Sequence, residues 1–227
     1  RYFMTQTNKN LFYFLMILAM AGWGASWVNA KVLSAYVNEY EMILFRNVFT
    51  LITLAPVLLI TKKYFRINLK SLLLAVFAAI VMIAYLKYYF LGTKFGTASL
   101  GGALVTTLIP INTFLIMALF YGKKIQRKDI FALALGAIGV LTILNIWSFS
   151  YEDIFTKHNM YFLFASLLWP ILTIISSKTT HTSPIVFTFY MYVIATVLVS
   201  VFFVDFQSIA YEKFDDTFWI NILCLAV

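Results

Sequence analysis

Seven stretches of about 20 residues, apolar on every face, limit this chain more than any other feature. They run approximately Leu11–Ala30, Met42–Thr61, Ser71–Leu91, Ala98–Tyr121, Asp129–Trp147, Met160–Ser177 and Pro184–Val204. An eighth begins near Thr217 and is cut off by the end of the sequence. A bilayer core of about 30 Å takes roughly 20 residues of helix to cross. Inside it every backbone polar group needs a partner within the protein, and a helix supplies one locally. Barrel strands would alternate apolar and polar positions, and these runs do not. The chain has 227 residues, 63% hydrophobic and only 11% charged. Soluble domains carry about 25% charged residues, so a soluble fold and a disordered chain are both excluded. The expected class is all-α, a polytopic transmembrane helix bundle.

The connections set the orientation. Arg1, Lys9, Lys62, Lys63, Arg66, Lys70, Lys123, Lys124, Arg127, Lys128 and Lys178 fall on one side, and they are most of the 17 basic residues. Eight of the nine acids, all but Asp129, fall on the other. Cytoplasmic loops collect Lys and Arg, which predicts a cytoplasmic N-terminus. The net charge of +8 is thus a topological signal and not one for nucleic acid. No loop is long enough for a soluble domain. The lone Cys224 sits in an apolar run and has no intrachain partner. Usage rich in Lys, Asn, Ile and Phe suggests a bacterial inner membrane.

Internal similarity is faint. Ala19-Met20-Ala21-Gly22-Trp23-Gly24 in the first run and Ala165-Ser166-Leu167-Leu168-Trp169-Pro170 in the sixth both place small residues before a Trp. That fits a repeat unit of five helices. An odd number makes the second copy inverted, as in many secondary transporters.

Several segments together resemble the drug/metabolite transporter superfamily, EamA type. These are Gly22-Trp23-Gly24-Ala25-Ser26-Trp27 followed by Lys31, then Leu44-Phe45-Arg46-Asn47, then Lys94-Phe95-Gly96-Thr97-Ala98-Ser99 with Ala103-Leu104 and Leu108-Ile109-Pro110. Leu135-Gly136-Ala137-Ile138-Gly139-Val140 adds a looser match. One departure is plain: relatives often carry Gly-Glu-Arg after the fourth helix, and here it is Gly122-Lys123-Lys124. The resemblance implies a fold of ten helices, of which about seven and a half are covered. The expected division is residues 10–148 for a first five-helix repeat and 158–227 for an incomplete second. It also implies a secondary transporter of small metabolites, amino-acid-like or other small organic solutes, working by alternating access as an exporter. The alternative is a lipid flippase or a membrane scaffold without transport. An enzyme is disfavoured, since the chain has no HExxH, CxxC or Gly-rich phosphate loop. No cofactor and no metal are expected. The expected partners are a small-molecule substrate, membrane lipids and a second copy in a homodimer.

Ionisable residues inside a membrane are costly and mark function. Lys31, Arg46 and Lys87 fall at similar depth toward the outer face, each within roughly 10 Å of the interface at 1.5 Å per residue. They are candidates for an anionic or carboxylate-bearing solute. Snorkelling to headgroup water, with pairing to Glu39 or Glu41, is the competing reading. Tyr88 and Tyr89 follow Lys87 and suit a polar cavity. Trp23 and Trp169 are candidates to line a cavity between the repeats, with helix packing as the alternative; Tyr190 is a further candidate. The substrate-binding set is therefore Trp23, Arg46, Lys87, Tyr89, Trp169 and Tyr190. Pro110 and Pro170 lie mid-span and are candidate helix breaks, with Thr106 and Thr113 placed to satisfy carbonyls freed by Pro110. No Asp or Glu lies well inside a covered run, so the covered part offers no obvious proton relay.

Overall fold

A computed structural model describes residues 6–61, 65–122, 126–143, 156–179 and 182–226. Helices α1 (Gln6–Leu33), α2 (Glu39–Ile60), α3 (Leu69–Phe95), α4 (Ala98–Tyr121), α5 (Arg127–Ile143), α6 (Lys157–Ser177), α7 (Pro184–Phe202) and α8 (Asp216–Ala226) account for it, with a 3-10 turn at Tyr211–Lys213. There is no strand among the described residues. Six of the helices, α1 to α4, α6 and α7, are long and apolar enough to cross a membrane. The fifth expected span is seen as α5, which is described only to Ile143. The C-terminal end of that span and most of the fifth-to-sixth connection lie outside the described residues, as do His181 and the loop lysines at 62, 63, 123 and 124.

Local chemistry sets the helix ends. Asn38 caps α2: its side chain accepts from the N–H groups of Tyr40 and Glu41, while Glu41 accepts from the Asn38 N–H. This reciprocal box satisfies donors that a helix start otherwise leaves open. Asn68 and Thr97 cap α3 and α4. Helix α4 stops at Gly122, whose φ of +64° is the left-handed conformation that glycine adopts without Cβ strain. Pro184 opens α7, where its missing N–H costs nothing. Pro56, Pro110 and Pro170 lie inside helices that run on without interruption. Pro110 frees the carbonyl of Thr106, four residues back. The hydroxyls of Thr106 and Thr113 donate to Gly102 O and Ile109 O instead, so neither satisfies the carbonyl that Pro110 frees.

Helix α3 is the hub. It packs most extensively on α6 and α7, while α6 is also seated on α4, and α8 lies against α1 and α2. Ala75, Ala78 and Ala79 on α3 are fully buried, small enough for close helix contact. Two ends of the bundle are defined by specific contacts. At one, the Lys31 ammonium donates to Lys94 O and Gly96 O at 2.8 and 2.7 Å, joining the ends of α1 and α3. At the same end Tyr36 donates to Asp215 Oδ2 at 3.1 Å, and Tyr40 stacks on Phe203. At the other, Thr182 donates to Ser71 Oγ at 2.9 Å and Tyr190 to Phe65 O at 2.7 Å.

Candidate functional site

Tyr85 and Tyr89 are four residues apart and share one face of α3. That face looks toward α1, α2 and α6. The result is a cavity of about 350 Å³ lined by Trp23 and Ser26 from α1, Arg46 from α2, Tyr85 and Tyr89 from α3, and Trp169 from α6. A second chamber of about 310 Å³ shares Arg46, Tyr85 and Trp169 and adds Thr173, Thr188 and Tyr192. Arg46 thus stands between two chambers. Counting along the helices at 1.5 Å per residue, Arg46 lies about 10 Å and Trp169 about 18 Å from the end of the bundle where Lys31 sits. The chambers are therefore near the middle of the bundle. Ligand cavities run from about 300 to 1,000 Å³, so the space suits one small solute.

The walls are aromatic. Trp23 and Trp169 stack at 6.1 Å and 26°. Tyr85 tilts against Trp169 at 4.8 Å and stacks on Tyr89 at 6.0 Å. The Tyr89 hydroxyl is fixed, donating to Ser26 O at 3.0 Å. Behind it, Trp27 meets Tyr89 at 4.4 Å, edge to face. Trp27 is almost fully buried with its indole N–H unpartnered. Phe162, fully buried, fills the next layer against Trp27, Gly92 and Gly101.

Among the described residues Arg46 is the one cation on these walls. Its Nε donates to Leu225 O at a long 3.4 Å. Its electrostatic neighbours are the tyrosines Tyr192, Tyr89 and Tyr85, and no carboxylate is among them. A guanidinium presents five N–H donors in a planar fork that matches a carboxylate or phosphate. Held in an aromatic, partly desolvated cavity with no carboxylate partner among the described residues, it favours an anion.

Of the six residues singled out in the sequence, the structure brings four together: Trp23, Arg46, Tyr89 and Trp169. Lys87 lies between Tyr85 and Tyr89 in sequence and therefore on another side of α3. Its ammonium sits over the Tyr40 ring, 5.4 Å from the centroid. Tyr190 belongs to the far end of the bundle, bonded to Phe65 O. The three cations of similar depth do not form one cluster: Lys31 holds helix-end carbonyls, Arg46 faces the cavity and Lys87 faces outward. Sequence reasoning missed Tyr85 and Tyr192. Tyr85 is one turn before Tyr89. Tyr192 stands at the same sequence separation from Arg46 as Trp169 does from Trp23, so the repeat register pointed to it.

Residues 10–145 match the sequence model of a family described as EamA-like transporters. Two WAT1-related proteins of Arabidopsis thaliana are similar, 26% and 24% identical over 125 residues. These alignments cover 52% of this chain and 32% and 31% of the relatives, so the matched part spans about a third of each relative's length. No solved structure gives a significant match.

Proposed function

The chain belongs to the EamA-like transporter family, and on that premise we propose that it moves a small carboxylate-bearing solute across the membrane through the aromatic cavity around Arg46. The observation that carries this reading is a guanidinium with no carboxylate partner among the described residues, facing a cavity in the middle of the bundle. Arg46 holds the anionic group. Trp23, Trp169, Tyr85 and Tyr89 contact the rest of the solute and exclude water, and Tyr192 faces it from the second chamber. The route is alternating access, with two inverted halves rocking about this cavity. Export is the direction proposed, across a bacterial inner membrane with the N-terminus in the cytoplasm. The complete protein is read as two five-helix repeats, divided near residues 148 and 158, and as able to pair as a homodimer.

The test is a ligand screen by thermal unfolding, on the full-length protein in detergent, followed by uptake into vesicles. A ligand specific to the folded state at about 100-fold excess over its Kd adds roughly 2.7 kcal/mol of stability. Stabilisation by carboxylates is expected, and its loss in Arg46→Gln with the unliganded midpoint preserved. Stabilisation confined to neutral or cationic solutes would remove Arg46 from substrate binding.

A further inference from the structure

Two more grooves lie on the outside of the bundle, one at each end. The first, about 550 Å³, runs between α3 and the end of α7 along Ile80, Ile83, Leu198 and Phe202, with Lys87 and Tyr40 at its head. The second, about 530 Å³, runs along Phe77, Ile116, Phe120 and Ile174, with Lys178 and Tyr121 at its head. Acyl chains fill any apolar groove that faces a bilayer, so the grooves alone identify no ligand. What distinguishes these two is a lysine over a tyrosine ring at each head. The ammonium lies 5.4 Å from the Tyr40 centroid in one and 5.1 Å from the Tyr121 centroid in the other.

Each head stands at the level of the helix ends. Tyr40 is in the first turn of α2, stacked on Phe203, which follows the last residue of α7. Tyr121 is the last residue of α4, and Lys178 follows the last residue of α6. The two heads are at opposite ends of the bundle, hence in opposite leaflets. Lys31 shows what a lysine committed to the protein looks like, with two carbonyls accepting from it. Among the described residues no carbonyl or carboxylate accepts from Lys87 or Lys178. Around Lys87 the other titratable groups are Tyr40, whose hydroxyl engages the ammonium, and Tyr88 and Glu39, which act only through space. An ammonium has three donors, and the tyrosine beside it takes up one direction. The remaining donors point to a phosphate at headgroup depth.

We propose that each groove binds one anionic phospholipid, one per leaflet, with an acyl chain along the apolar wall and the phosphate on Lys87 or Lys178. This stands apart from the Arg46 cavity, and either assignment can fail without the other.

The experiment is native mass spectrometry of the delipidated full-length protein titrated with phosphatidylglycerol, phosphatidylcholine or inorganic phosphate. Two phosphatidylglycerol molecules are expected to be retained in preference to phosphatidylcholine. Lys87→Met and Lys178→Met should each weaken one of the two by about fivefold, the scale of one lysine near a headgroup, and the double variant should lose the preference. Lys87→Arg and Lys178→Arg keep the charge and should keep the preference, which separates headgroup binding from a folding defect. Equal retention of both lipids by the parent, or an undiminished preference in the double variant, would overturn the proposal. So would competition by inorganic phosphate alone, which would mark a free-anion site.

Discussion

At the scale of single residues, position along a helix was legible to within a few turns and direction was not. Rise per residue gives how far along a helix a side chain lies. Which neighbour it faces depends on how each helix is rotated against the others, and a sequence of runs apolar on every face carries almost no signal of that. Lys31, Arg46 and Lys87, expected at one depth, meet three different environments. Two substitutions separate these roles. Arg46→Lys keeps the charge and loses the fork. If the anion uses two guanidinium donors, losing one charge-assisted hydrogen bond costs about 1.5 kcal/mol, so binding of a carboxylate should weaken about tenfold. Titration by tryptophan fluorescence would read it, since Trp23 and Trp169 line the cavity. Unchanged affinity would mean that only the charge matters. Lys31→Met, by contrast, removes two bonds to the carbonyls of Lys94 and Gly96. It should destabilise by about 2 kcal/mol and leave ligand affinity untouched, as denaturant unfolding and the same titration would show.

At the scale of elements, the helices themselves were readable because the bilayer demands runs of fixed length. The expected starts at Ala98 and Pro184 coincide with those of α4 and α7, and the expected ends at Tyr121 and Ser177 with those of α4 and α6. What the runs did not reveal was the junction that fixes α6 on α3 and α4. Gly92 and Gly101 open a slot into which Phe162 fits. A Cβ at Gly101 would fall 2.5 Å from the Phe162 ring and 2.7 Å from Trp27. Their partner is about 60–70 residues away in sequence and on another helix, which no local pattern signals. Gly101→Ala should therefore destabilise by about 1–3 kcal/mol, the usual cost of overpacking. Phe162→Leu trims the ring and should recover part of that loss in the double variant. The two changes should then be clearly non-additive, because the residues are in contact. Additive effects in a double-mutant cycle would show that the slot does not constrain α6.

At the scale of the whole molecule, the contacts between α1 and α6 support the proposed inverted repeat. Helices α1 and α6 run antiparallel: the end of α1 and the start of α6 lie together, where Lys31 bonds Gly96 O and His158 packs beside Gly96. Their matching tryptophans stack on each other, and Arg46 and Tyr192, at the matching separation, face the same chamber. Two polar side chains related in this way, one cationic and one neutral, give a cavity that is symmetric in position and asymmetric in charge. In the proposed alternating-access route, rocking of the halves would open such a cavity to either face, and Arg46 would keep the anion in one place. The proposed orientation of this assembly rests on the basic loops alone and has a direct test. With Cys224→Ser as background, Ser208→Cys sits in the connection before α8 and Gln126→Cys just before α5, both exposed. A membrane-impermeant maleimide applied to intact cells should label the first and not the second, and permeabilisation should expose the second. The reverse pattern would invert the bundle, place Arg46 nearer the cytoplasmic face, and make the cavity more accessible to solutes from inside than its depth along α2 now implies.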